Sequence, residues 1–176
     1  MESPAQSASR QFEAAVQAGG LQVLTFGIPG MRLCSPLANV IMVLPLMELQ
    51  PLPGAPPYLR GLMNLHGRSI LVADLAARLG YSVHSRYTLE TPILLCEHGG
   101  LQTGLIVDQV IGIESLEQDA WQRTPAFDNA GLLLHGTVQT QSGLLQVLCM
   151  EQLTMPDPVR THGPAAAGGL DRGVSV

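Results

Sequence analysis

The sequence contains no lysine; its nine basic residues are all arginine. Charged residues of both signs make up only 13% of the 176, about half the roughly 25% of an average soluble domain. The net charge is −5 and no basic run occurs, which argues against nucleic acid as a partner, because phosphate binding needs clustered cations. Aromatics are equally scarce: one Trp, three Tyr and three Phe, scattered along the chain. An SH3-like module that binds Pro-rich peptides needs an aromatic platform, and one is hard to build from these. Cys34, Cys96 and Cys149 are odd in number and have no C-x-x-C spacing, so buried thiols are expected in place of a disulfide or zinc framework. No apolar run is long enough to span a bilayer. The opening "MESPAQSASRQFEAAVQAGG" lacks the charged-then-apolar pattern of a signal peptide, so a cytoplasmic location is expected. Gly-x-Ser-x-Gly, a P-loop and His-x-x-x-His spacing are all missing, and no metal or cofactor is expected. An enzyme would have to use Cys96 or Cys149 as nucleophile, His66 or His135 as base and Asp74 or Asp108 as orienter, and no spacing brings these together. His84, His98 and His162 stand in loop-like or tail contexts and read as solvated.

What is present in quantity is apolar side chain, at 46%. With so little charge to cover it, apolar surface is left exposed, which favours a protein that lives in an assembly. The apolar residues fall in short runs: "LQVLTF", "PLANVIMVLPL", "GLMNL", "SILVAD", "PILLCE", "GLIVDQVIGI", "LLLHGTVQ" and "GLLQVLCM". Turn signals such as "GIPG", "PLPGAPP", "EHGG" and "QSG" separate them, and their Val/Ile/Leu content suits strands. Only "DLAARLG" and "CMEQL" read as short helices within the folded unit. Residues 1–20 read as a flexible segment with a short helix near 11–18, and 156–176 as a Pro/Gly/Ala-rich disordered tail. The domain between them, residues 21–155, repeats itself in halves of about 21–80 and 91–153. Gly30 precedes Val40 by the same interval that separates Gly100 from Val110; Gly61 answers Gly136, Gly67 answers Gly143, Asp74 answers Cys149 and Leu79 answers Leu153. Such a duplication points to a pair of similar small barrels, each half too small to be stable alone. Leu-His-Gly also occurs twice, at 65–67 and 134–136, but out of register with the repeat.

The stretch "YLRGLMNLHGRSILVADLAARLG", a preceding Val-x-x-Val strand and Pro-rich loop, "GLIVDQV" from Gly104 to Val110, and a final "GLLQVL" follow one another in an order that resembles the CheW-like domain of bacterial chemosensory systems. Tyr58, Leu59, Arg60, Gly61, Asn64, Leu65, Gly67, Asp74 and Leu75 match that family's middle signature. The resemblance implies a mainly β fold of two intertwined five-stranded SH3-like barrels with short connecting helices. It also implies a non-catalytic adaptor with two partners, the regulatory domain of a CheA-type histidine kinase and the helical-hairpin tip of a chemoreceptor, and other CheW-like proteins in rings. Carried onto this chain, the receptor groove falls at Val40, Met42, Gly61, Asn64, His66, Gly67, Gly104 and Val110. For each there is a plainer alternative: the glycines as turn residues, Val40 as core. Asp74 is expected to cap the helix that begins at Leu75; Asp108 is either a similar cap or a solvated strand residue.

Two positions depart from the pattern together. His66 stands where the family usually has arginine, and Met42 where it usually has glutamate. If those side chains pair in relatives, losing both at once avoids leaving one charge buried alone. The departures suggest an altered groove and a separate pathway controlling pili, surface sensing or a second messenger. A histidine in a contact loop titrates near pH ~6.5 and is also a candidate pH-sensitive contact, although neutral loop histidines are commoner. Trp121, in the irregular "QDAWQRTPAFDNAG", reads either as an anchor for that connection or as an exposed partner contact.

Overall fold

The computed structural model describes residues 4–81, 87–122 and 133–154; the expected tail, His84 and His162 lie outside them. The chain runs α1 (Pro4–Gln17), β1 (Leu21–Ile28), β2 (Met31–Pro36), a 3-10 turn (Leu37–Asn39), β3 (Val40–Pro45), β4 (Leu59–Leu65), β5 (Arg68–Asp74) and α2 (Leu75–Arg78). The second half follows with β6 (Pro92–His98), β7 (Leu101–Ile106), β8 (Gln109–Leu116), β9 (Trp121–Gln122), β10 (Leu134–Thr140), β11 (Gly143–Leu148) and α3 (Met150–Thr154).

Pairing exchanges strands between the halves. One sheet has the order β8-β1-β2-β11-β10-β9 and the other β3-β6-β7-β5-β4. Under the repeat, β1 to β5 correspond to β6, β7, β8, β10 and β11, so, of these repeat-related strands, each sheet takes two from one half and three from the other. The correspondence extends to single residues. In the parallel pairs, Val147 lies opposite Cys34 and Val72 opposite Gly104, which are repeat-related pairs. The β4–β5 and β10–β11 hairpins slip register at matching places, before Gly61 and before Gly136. The backbone N–H of Asp74 donates to Tyr58, and that of Cys149 to Leu133, each at 2.7 Å. The first sheet has six strands where five were expected, because β9 adds a short pairing to the outer edge of β10. A single bridge between Gln50 and Leu62 occupies the equivalent place in the other sheet.

The apolar residues of each sheet serve two cores. Along β1, Val23 points into a cluster with Cys34, Val138, Leu145 and Val147 inside the first barrel. Its alternate residues Leu24, Phe26 and Ile28 join Leu75, Leu94, Cys96, Leu105 and Leu148 in a seam between the sheets. On β6, Ile93 and Leu95 fill the second barrel with Met63, Val72 and Ile106, while Leu94 and Cys96 face the seam. Period-2 alternation with both faces apolar produces this double duty. At about 1.5–3 kcal/mol for each fully buried large side chain, the seam binds the two barrels into one body.

The N-terminal segment differs from its expected flexibility. Residues 4–17 form a 14-residue helix, and Phe12 and Val16 are buried against the first barrel. Their spacing places both on one face, and that apolar stripe finds a partner in Leu116, Ala120 and Trp121, so packing orders a stretch of modest intrinsic propensity.

Gly61 is where the second barrel closes. It is buried with φ +144°, and a Cβ there would strike the Gln50 carbonyl oxygen in the bridge to Leu62. Gly61→Ala is expected to cost at least about 2 kcal/mol in urea unfolding, from the backbone region alone before the collision is counted. Gly112→Ala, with nothing within 4 Å of its would-be Cβ, is expected to cost under about 1 kcal/mol. Equal losses would refute the closure role.

Candidate partner-binding surface

β3 and β8 are the outer strands of their sheets, and they are repeat-related. Both begin at the seam: Val40 and Val110 are half-buried against the shared core, opposite Cys96 and Phe26 respectively. Both then bulge by one residue, at Ile41 between Val40 and Met42 and at Ile111 between Val110 and Gly112. A bulge turns the following side chains relative to the sheet. The outcome is exposed apolar surface on each strand: Ile41 (43%), Met42 (41%) and Val43 (46%) on β3, Ile111 (43%) and Ile113 (56%) on β8. β3 carries no charged residue at all. Proteins usually guard such edges with charge, and an unguarded apolar edge marks an interaction site.

The edge of β8 is held in place by a polar knot. Ser142 Oγ donates to both carboxylate oxygens of Glu114 (2.8 and 2.9 Å), and Thr25 Oγ1 donates to one of them at 3.2 Å. Burial works to raise the Glu114 pKa, but hydrogen bonds from Ser142, Thr140 and Thr25 and the Arg32 charge hold it below its ordinary value. The charged form thus pins β8 to the β10–β11 turn.

The remaining expected groove residues divide. Asn64, His66 and Gly67 are exposed in the β4–β5 hairpin. His66 (φ +52°) and Gly67 (φ +82°) form its two-residue turn, and Asn64 Oδ1 accepts the Gly67 N–H at 2.9 Å. Gly61 and Gly104 depart from the groove expectation, for both are buried. A Cβ on Gly104 would meet Ile93, Val72 and Met63 inside the second barrel, so its missing side chain is packing space. Met42 and His66 sit on opposite outer strands in the sheet order, on β3 and at the end of β4. Asp74 is buried and caps α2 by accepting the Ala77 N–H at 3.1 Å; its other oxygen accepts from the Tyr87 hydroxyl. Leu75, next in the chain, is wholly buried in the seam. Asp108 is exposed between β7 and β8 and its backbone N–H donates to Gly27 at 2.9 Å; desolvation and then the Asp74 charge raise its pKa. Trp121 is an anchor: half-buried against the first barrel core, it lies under Phe12 with ring centroids 5.0 Å apart, and Gly136 leaves the room its ring needs.

The thiols are set against chemistry. Burial pushes Cys34 and Cys96 up to about 12 and Cys149 to about 11, the reverse of an activated nucleophile. His66 is in an exposed turn, while the buried His135 bonds to Ser9. The aromatics are equally dispersed. Arg78 covers Tyr58 (4.7 Å), Arg60 covers Tyr87 (5.5 Å), and Phe12 and Phe26 are buried, so the described residues offer no aromatic platform for Pro-rich peptides.

The family model of the CheW-like domain matches residues 22–155. This chain belongs to the CheW-like domain family. It is 27% identical over 132 residues to the chemotaxis protein CheW of Thermotoga maritima, covering 75% of this chain and 86% of that one. It is 30% identical over 96 residues to Protein PilI of Pseudomonas aeruginosa, across 54% of this chain and 53% of the relative. Among solved structures, the scaffolding protein TtCheW of Thermoanaerobacter tengcongensis superposes with a TM-score of 0.67 at 22% identity, covering 73% of this chain and 88% of that one, a likeness that bears on the fold. As a CheW-like protein the chain is a non-catalytic chemosensory scaffold adaptor, and the Cys/His enzyme reading is set aside.

Ile41, Val43, Ile111 and Ile113 were not singled out in the sequence, although the alignment of Val40 on Val110 held the signal: the runs "VIMVL" and "VIGI", without a polar side chain, at equivalent places. With all three thiols buried, a disulfide-exchange reagent at pH 8 is expected to react at least about a hundredfold more slowly with native than with urea-unfolded protein. A fast-reacting native thiol would contradict the packing described.

Proposed function

We propose that this chain is a cytoplasmic adaptor that couples the helical-hairpin tip of a chemoreceptor to the regulatory domain of a CheA-type histidine kinase in a membrane-associated array. The carrying observation is the pair of repeat-related edge strands with exposed apolar side chains, on a scaffold of the CheW-like family. An apolar strip at the seam can take one face of a receptor helix through anchors at helical spacing. Val40, Met42 and Val110 supply that strip, and the exposed hairpin of Asn64, His66 and Gly67, on the other outer strand of the second sheet, supplies a separate contact. Gly61 and Gly104 act by keeping the second barrel closed and filled. The kinase domain, itself of similar build, meets a barrel end head to tail, and such heterologous contacts close into rings in which other CheW-like proteins can take a place.

Met42 and His66 retune the receptor surface. A thioether in place of a carboxylate removes charge-based selection and leaves an apolar contact, which changes which hairpin fits. On this reading the protein serves its own receptor in a pathway for pili, surface sensing or a second messenger. It is expected to retain a CheA-type regulatory domain in a pull-down while retaining general chemotaxis receptors poorly; equal retention of those receptors would overturn the separate pathway. Met42→Glu and Ile113→Glu are expected to weaken partner binding at least about tenfold, as charge placed in an apolar contact does, with the urea midpoint unchanged. Wild-type protein that binds neither partner at about 100 μM, weaker than the affinities of most specific complexes, would overturn the adaptor itself.

A further inference from the structure

Helix α1 lies outside the residues matched by the family and packs on the first barrel. Ser9, Phe12 and Val16 fall on one face; Phe12 rests on Trp121, and Ser9 Oγ is 2.9 Å from His135 Nδ1, 126 residues away in sequence. His135 is 8% exposed. By the repeat it corresponds to Arg60, which is exposed on the barrel that has no such helix among the described residues, so burial of His135 follows from α1. The helix ends in Gly19 and Gly20, at φ +81° and +73°, a joint of backbone freedom between it and β1. Beside the contact is a cavity of about 190 Å³.

We propose that α1 is an acid-releasable lid: protonation of His135 detaches the helix from the first barrel and uncovers Trp121.

A protonated ring under the docked helix, 8% exposed, loses most of its hydration. Burial therefore lowers the His135 pKa from 6.5 to about 4, and the charge of His98 at the end of β6 adds to the shift. Glu151 of α3 contributes the one carboxylate among the residues lining the cavity; α1 contributes Ala8, Gln11, Phe12 and Ala15, and β2, the 3-10 turn and β11 contribute Pro36, Asn39 and Leu148, none of them charged. With the helix away, the ring regains an ordinary pKa near ~6.5. The folded-state pKa is depressed, so docking is at full strength above about pH 6.5 and weakens as pH falls towards 4, where the docked form also takes up its proton. For one group with these two values, the docking constant drops roughly sixtyfold between about pH 7 and about pH 4.5.

The single tryptophan makes this measurable on the full chain. Trp121 emission and amide-exchange protection factors would be followed from pH 7.5 to about 4.5, where the linkage predicts most of the loss. Expected are a red shift and loss of protection across α1 while β1 stays protected. His135→Gln should remove the acid dependence, Ser9→Ala should loosen α1 at every pH, and Phe12→Ala should reproduce the uncovered Trp121 signal at neutral pH. Protection of wild-type α1 that is unchanged at the acid end would overturn the proposal. So would loss of α1 and β1 together, or an acid transition that survives in His135→Gln.

Discussion

The first two strands of each half cannot be buried by their own half. β1 and β6 are apolar on both faces, so each needs a barrel interior on one side and a second sheet on the other. Exchange of the later strands meets both needs, and the seam built around Phe26, Leu94 and Leu105 is the consequence. The same exchange decides the exposed surface. In the order that it imposes, the third strand of each half pairs with a first strand and has no second partner, so β3 and β8 become edges where the seam comes to the surface.

Those edges explain the composition. A chain with 13% charged residues has little with which to guard an open strand, and β3 is left with none. The bulges at Ile41 and Ile111 place apolar groups outside at equivalent points on the two barrels. What would be an aggregation hazard in an isolated protein suits a scaffold whose edges are covered by other proteins. The Glu114 knot ties the β8 edge to the β10–β11 turn.

The two barrels share a plan and differ in filling. Cys34 in one corresponds to Gly104 in the other, and Met63 occupies the space that Gly104 leaves. Gly136 makes room for the ring of Trp121, whereas Gly61 makes room for the backbone of Gln50. Only the first barrel carries a helical lid among the described residues. Divergence after duplication thus turned a pseudo-symmetric body into one with two dissimilar faces.

Much of this was legible in order. Apolar runs broken by Gly and Pro turns set out the strands; the spacing of Gly30, Val40, Gly61 and Gly67 against their counterparts revealed the duplication; Asp74 before "LAARLG" marked a helix start. All of these are local properties, written in neighbouring residues by backbone preference and alternation. Tertiary structure alone decided that residues 4–17 dock as a helix, that Gly61 and Gly104 are interior, and that "VIMVL" faces outward. Whether an apolar strand is buried or lies at an edge depends on which distant strand comes to pair with it. That choice was made by the exchange between halves, and no window of sequence contains it.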